Sequence, residues 1–450
     1  MSRFQILHAW SARQGNRENQ QVTEIEQPLT ATRGTIPSLR ANFAWTFAGN
    51  VLNAGCQWGM LSVLAKLGSP SIVGQFTLGL AISAPVFMFT NLQLRAVQAS
   101  DVSAECRFAA YFTLRLLATL LGLMVIVALL PFTGASSVVR VVVLLVSVSK
   151  CIECMSDVTA GLLQREEQLR RVAISLIIRG SGSVLAFSLS FAYFRNLALS
   201  VTVMSGVWLA VLLFYDVPNA RALIGRHDAF FRFDRRELWR LAMLGLPLGW
   251  VTTLTSLNAN IPRYFLQHYL GLAEQGIYAS LAYLIVAVGL VALALSQSVT
   301  TRLARLFADG DLRQFVSLLT KLSMLGVLIA AVGVPLAFLV GRPVLTLLYR
   351  REYADHVGLL AIFMATAGMN TIMAFLFCGM NAARRFGALV PVYLAATLVG
   401  VGTSSILIPR YGLTGGGIAI LLSAIVTVAG SLRALRIALK ARAAIAEQEA

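Results

Sequence analysis

Twelve uninterrupted apolar runs constrain this chain more than any other feature. Each is about 20–25 residues long, the length a helix needs to cross the hydrocarbon core of a bilayer. They lie near residues 41–65, 71–93, 108–130, 139–163, 172–194, 197–217, 239–262, 275–299, 317–340, 357–380, 386–408 and 412–434. Apolar residues are continuous within each run and do not alternate, which argues against a spanning β-barrel. Only 13% of the 450 residues are charged, against about 25% in a soluble protein. A soluble multidomain enzyme, a disordered chain and a fibrous repeat are excluded. The expected fold class is an all-α integral membrane protein, with twelve transmembrane helices in two parallel-repeat six-helix bundles around a central cavity. The first 40 residues are polar and have no apolar core, so the first run is expected to act as an uncleaved insertion signal.

The formal net charge is +17, which in a soluble chain would suggest nucleic acid. Twelve crossings put both termini on one side, and the basic residues sort by side. Of the 37, 26 fall on the side of the termini, in the tails and in the loops after runs two, four, six, eight and ten. Eight fall on the other side, and Arg115, Lys150 and Arg179 fall inside runs. Loop bias of this kind predicts cytoplasmic termini and accounts for the basicity without nucleic acid.

The loop at 216–238 divides the runs six and six. The expected organisation is an N-terminal tail over 1–40, a first bundle over 41–217, a linker over 218–238, a second bundle over 239–436 and a C-terminal tail over 437–450. The halves echo each other. Leu67-Gly68 followed by Gly74-Gln75-Phe76 resembles Leu270-Gly271 followed by Gly276-Ile277-Tyr278, an offset of 203 residues between the Leu-Gly pairs. At that offset Asn50, Asn53 and Gln57 fall on Thr253, Ser256 and Asn260. Spacing i, i+3, i+7 puts each trio on one helical face. Matching polar stripes on runs one and seven are expected to face a hydrated cavity between the halves; the alternative is hydrogen bonding between packed helices.

Ionisable residues deep in a span cost about 2.5–3.5 kcal/mol each, which makes them candidates for function. Here they are Arg115, Lys150, Glu153, Asp157 and Arg179, all in the first half. Lys150, Glu153 and Asp157 share one helix face. Arg115, Asp157 and Arg179 come out at about the same depth, 10–12 Å from the cytoplasmic ends, so a cluster of runs three, four and five is expected. It serves either as a structural ion-pair network or, through Glu153 or Asp157, as an ion-coupling site. Arg95 and Arg302 end runs two and eight at the cytoplasmic mouth, and Arg263 ends run seven on the outer side. Their guanidinium forks suit phosphate, and the alternative is anchoring to lipid headgroups. Pro85, Pro247, Pro335 and Pro391 are expected to interrupt their spans. Cys151 and Cys154 form a lone C-x-x-C without further ligands, so no metal site is expected.

Several diffuse motifs resemble the Wzx-type oligosaccharide flippases, within the superfamily that also holds the MATE drug exporters and the lipid II flippases. The carriers are Asn42-Phe43-Ala44-Trp45 with Gly49-Asn50, the two Leu-Gly motifs above, and Leu94-Arg95 with Asp101. In the second half they are Ile261-Pro262-Arg263-Tyr264-Phe265, Arg302-Leu303-Ala304, and Tyr411-Gly412-Leu413 with Gly415. The resemblance covers about residues 40–436. It implies two six-helix bundles around a cavity lined by spans one, two, seven and eight. It also implies movement of an undecaprenyl-pyrophosphate-linked oligosaccharide across a bacterial inner membrane for surface polysaccharide biosynthesis. Asn50, Asn53, Gln57, Thr253, Ser256 and Asn260 would line the route, and Arg95, Arg263 and Arg302 would meet the pyrophosphate. The implied partners are the lipid-linked oligosaccharide, membrane lipids, polysaccharide polymerase and glycosyltransferases, with no cofactor and no enzymatic step. A cation-coupled MATE-like drug exporter and a membrane-embedded glycan polymerase are the alternatives. Span one carries no acid, whereas that of many MATE proteins does, which weighs against the exporter.

Overall fold

In lipid no water is present to satisfy backbone polar groups, so a chain with these apolar runs must satisfy them within helices. A computed structural model describes residues 39–101, 106–224, 229–383 and 386–449. Arg384 and Arg385, Arg226 and the basic residues before 39 lie outside the described residues. The described helices from Asn42 onward form one compact unit.

The long helices are α1 Leu39–Leu67, α2 Pro70–Thr90, α3 Phe108–Leu129, α4 Ser137–Arg165, α5 Leu169–Phe194 and α6 Leu197–Arg221. Then come α7 Arg235–Leu270, α8 Leu272–Ala308, α9 Leu312–Leu348 and α10 Val357–Ala382. The last helical stretch, Leu389–Glu449, is broken at Gly412 (φ 57°, ψ −133°) into α11 over 389–411 and α12 over 413–449. Eight described stretches are long and apolar enough to cross a membrane, the last holding both α11 and α12. The three long helices outside that set are α1, α4 and α7, which carry the polar stripes and three of the five charges expected inside the spans. The chain is an all-helical, multi-spanning membrane protein.

The turns follow from their residues. Ser69 caps α2, accepting from the Ile72 amide at 3.4 Å, and Pro70 occupies the first helical position, where no N–H is needed. Arg195 takes a left-handed conformation (φ 52°) that ends α5, and Asn196 caps α6 through the Leu199 amide at 3.1 Å. Pro391, expected to interrupt a span, sits instead in the first turn of α11, where a proline breaks no hydrogen bond.

The two halves join differently at their two ends. At the end carrying the turns after α1, α3, α5, α7, α9 and α11, here the far end, one apolar core is shared by both halves. It runs from Leu61 and Leu64 on α1 and Phe76 on α2 to Leu266 on α7, Tyr278 on α8 and Phe363 on α10. At the opposite, basic end the cores are separate: Phe108 and Leu162 of the first half gather with Leu94, whereas Leu303, Phe315 and Leu389 of the second half form their own cluster. The start of α7 is the exception. Leu238 and Leu241 belong to the first half's core, and Gly245 lies so close to the end of α2 that a Cβ would sit 2.3 Å from the Leu92 carbonyl oxygen.

The two repeated glycine motifs meet each other at the far end. A Cβ on Gly74 would lie 1.9 Å from the Leu272 carbonyl oxygen, and one on Gly276 2.1 Å from that of Pro70. Small residues permit this approach of α2 and α8, the usual basis of helix association in lipid. Around the crossing, Thr77 Oγ1 lies 3.3 Å from Gln275 Oε1, Trp58 Nε1 donates to the Tyr349 hydroxyl at 3.0 Å, and Arg350 Nε donates to the Lys66 carbonyl at 3.0 Å.

Candidate functional site

A cavity of about 570 Å³ lies within the first half. Its walls are the polar faces of α1, α4 and α5 and the end of α2. Asn50 and Asn53 line it from α1, Lys150, Glu153 and Asp157 from α4, and Ser175 and Arg179 from α5. Helix α5 reaches α1 closely because Gly180 presents no Cβ to Asn53.

The charges form two bracketed carboxylates. Asp157 Oδ2 accepts from Arg115 Nη2 at 2.9 Å, and its Oδ1 from Arg95 Nη1 at 3.2 Å. Arg115 has 0% exposure; it also donates to the Asn91 carbonyl at 3.0 Å and to the Asn91 side-chain oxygen. Arg95 Nε donates to Gln164 Oε1 at 3.0 Å. Glu153 Oε2 accepts from Lys150 at 2.6 Å, and its Oε1 lies 3.7 Å from Arg179 Nη2. The Arg179 guanidinium also lies over the Trp208 ring, 5.3 Å from its centroid. Four cations around two acids leave surplus positive charge in a low-dielectric setting, where an anion is attracted more strongly than in water.

The expected cluster of α3, α4 and α5 is therefore split. Arg115 and Asp157 meet, Lys150 and Glu153 meet, and Arg179 goes to Glu153 rather than Asp157. Arg95, read as the end of run two at the cytoplasmic mouth, is the second cation on Asp157. Asn91, Gln93, Gln164, Ser156 and Ser175 also line the cavity. Sequence reasoning missed them because isolated amides at the ends of apolar runs look like interfacial residues and isolated serines within runs look like packing residues. It also passed over Asp216 in the last part of α6.

Gln57, the third member of the first stripe, lies farther toward the far end. It accepts from the Tyr283 hydroxyl of α8 at 2.9 Å. With Lys150, Tyr283 and Arg263 it lines a smaller cavity of about 60 Å³ between the halves, room for a few waters and not for a sugar. Arg263 Nη1 donates to Asn260 Oδ1 at 3.2 Å, while its Nε is buried without a hydrogen-bond partner. No carboxylate among the described residues pairs with it. The second stripe bonds along its own helix: Asn260 donates to the Ser256 carbonyl at 2.8 Å, and Thr253 to the Gly249 carbonyl at 2.7 Å. Asn260, 6% exposed, thus holds Arg263 in place. Arg302 is exposed on α8 near the basic end.

No family model matches the chain. It is 28% identical over 393 residues to the capsular polysaccharide biosynthesis protein CapF of Staphylococcus aureus, covering 86% of this chain and 96% of that one. Among solved structures it resembles the lipid II flippase MurJ in an inward closed conformation, with TM-score 0.66, 14% identity, and coverage of 88% of this chain and 87% of that one. It also resembles a multidrug resistance MATE family transporter of the MOP superfamily in its inward-facing conformation, with TM-score 0.63, 15% identity, and coverage of 89% and 95%. These likenesses, with the all-helical chain and its two joined halves, show that the chain shares the fold of these membrane transporters.

Proposed function

We propose that the chain is a flippase. It moves an undecaprenyl-pyrophosphate-linked oligosaccharide across the bacterial inner membrane for surface polysaccharide biosynthesis, by alternating access and without covalent chemistry. The observation that carries this reading is the pairing of a carboxamide-rich, positively charged cavity with an unpaired arginine at the junction of the halves. Amides such as Asn50 and Asn53 suit the hydroxyls of a glycan. Surplus charge suits a pyrophosphate, and Arg263 stands where a headgroup leaving the cavity would pass between the halves. The likeness to a capsular polysaccharide biosynthesis protein supports the same substrate class.

In this reading Arg115, Lys150, Glu153, Asp157 and Arg179 set the field of the cavity. Arg95 is the cation free to leave Asp157 for phosphate, because Gln164 and solvent can hold it while Arg115 keeps the acid neutralised. Thr253, Ser256 and Asn260 line the second-half side of the route and orient Arg263, and Arg302 receives the headgroup at the basic mouth. Membrane lipids surround the lipid tail, and polymerase and glycosyltransferases act before and after the transfer.

A deletion strain tests the proposal. Lipid-linked glycan should accumulate on the cytoplasmic face, and the wild-type gene should restore surface glycan. Arg263→Ala should restore less than one tenth of it, a loss of about 1.4 kcal/mol or more, and Arg263→Lys an intermediate amount. Unchanged glycan export in the deletion strain would remove the flippase reading. Full rescue by Arg263→Ala would remove the role given to that residue.

A further inference from the structure

Among the described residues of the first half, one buried acid is explained by no ion pair. Asp216 is 2% exposed and ends a π-helical turn, Leu212–Asp216, inside α6. Pro218 gives a local reason for that turn. It has no N–H, and its ring clashes with the carbonyl four residues back in a regular helix. The widened backbone is held by Asn219, whose side chain donates to the Tyr215 carbonyl at 2.7 Å. Single π turns of this kind are frequent at functional sites.

The hydroxyls of Ser156 on α4 and Ser175 on α5 lie against the Asp216 carboxyl. Even so, Asp216 Oδ2 and Ser156 Oγ are both buried without a hydrogen-bond partner. The charged group that reaches Asp216 is Arg179 of α5, which is already engaged by Glu153 and Trp208. Its Nε is buried and unpartnered as well. Tyr215 adjoins on the same helix, with Arg170 and Arg171 of α5 near it. An ionised carboxylate this deep without a paired cation is expensive, and such a group neutralises instead. A protonated one has a donor to offer an unfilled oxygen. Ser156, Ser175 and Arg179 all line the large cavity, so the hydroxyls stand between its water and the acid.

We propose that Asp216 is a proton-exchange site that sets the charge arrangement of the cavity. In the state closed at the far end it is a neutral acid. On losing its proton to cavity water past the Ser156 and Ser175 hydroxyls, it becomes the carboxylate that draws Arg179 away from its long contact with Glu153. Glu153 then keeps Lys150 alone, and the field at the site changes without any side chain crossing the bilayer. Only an O–H bond is broken and re-formed, and the proton goes to or comes from water. This gives the transport reading an ion site on α6, but its test needs no substrate, so either can fail without the other.

The test is infrared difference spectroscopy on the full-length protein in lipid nanodiscs, stepped from mildly acidic to alkaline buffer. Wild type should lose a carbonyl band of a protonated carboxylic acid. Asp216→Asn, which keeps the shape of the neutral acid, should lack that band, and Ser175→Ala should shift its frequency. With the other five tryptophans changed to phenylalanine, Trp208 fluorescence should change over the same step and stay flat in Asp216→Asn, as Arg179 moves or does not. An unchanged acid band in Asp216→Asn, or none in wild type, overturns the proposal. Should Asp216→Asn fail to fold, a Ser175→Ala protein with the wild-type band at the wild-type frequency overturns it equally.

Discussion

Arg115 shows how much a single side chain can depend on its neighbours. It has no exposed surface and its charge is met by Asp157 at 2.9 Å. Removing the acid alone leaves a buried cation behind, which costs about 3–5 kcal/mol, whereas replacing both partners with apolar groups is often close to neutral. Asp157→Leu should therefore lower the thermal midpoint in detergent sharply, and Arg115→Met with Asp157→Leu should recover at least half of the loss. A double variant no more stable than the single one would show that the pair is not the source of the effect. Part of this cluster was legible beforehand. Helical spacing alone puts Lys150, Glu153 and Asp157 on one face. The choice of partners across helices was not, because it depends on turns. Leu92 and Gln93 adopt left-handed backbone (φ 48° and 49°) and send the short helix Leu94–Ser100 back against α4. That fold brings Arg95 to Asp157 although the sequence marks it only as the end of an apolar run.

At the scale of elements, hydropathy finds the crossings and misses their ends. Helices α7, α8 and α9 run for 36, 37 and 37 residues, well past their apolar runs, because polar turns at the interface stay helical once capped. Asp234 does this for α7, accepting from the Arg236 amide at 3.0 Å. The repeated glycine motifs were legible as an echo, but not as two halves of one contact. That contact yields a prediction. Gly74→Val puts methyl groups where the Leu272 carbonyl lies 1.9 Å from a Cβ position, so α2 and α8 must part. Spin labels at the exposed Lys66 and Tyr269, both at the far end, should report a shift of the distance distribution to longer values by electron–electron resonance. An unchanged distribution would mean that the far end is held shut by the shared core alone. The Tyr349 hydroxyl beside the crossing donates to the Ser280 carbonyl at 3.0 Å, and that bond should hold across physiological pH, because burial pushes the phenol up to about 12.

For the whole molecule, the distribution of apolar cores and the distribution of charge make one joint prediction. A core shared by both halves seals the far end, whereas separate cores at the basic end leave the halves joined there mainly through α7. The large cavity, lined by Gln93, Arg95 and Gln164 among others, should therefore open toward the basic end. Loop bias predicts that the basic end is cytoplasmic. In a variant without its five native cysteines, Asn50→Cys should react with a membrane-impermeant thiol reagent in inside-out vesicles. It should stay protected in right-side-out ones, while Tyr269→Cys at the far end shows the reverse. Equal labelling of Asn50→Cys from both sides would contradict a sealed far end. Exchange of the two patterns would leave the one-sided opening intact and invert the orientation. The two outcomes separate what the packing dictates from what the loop charges dictate.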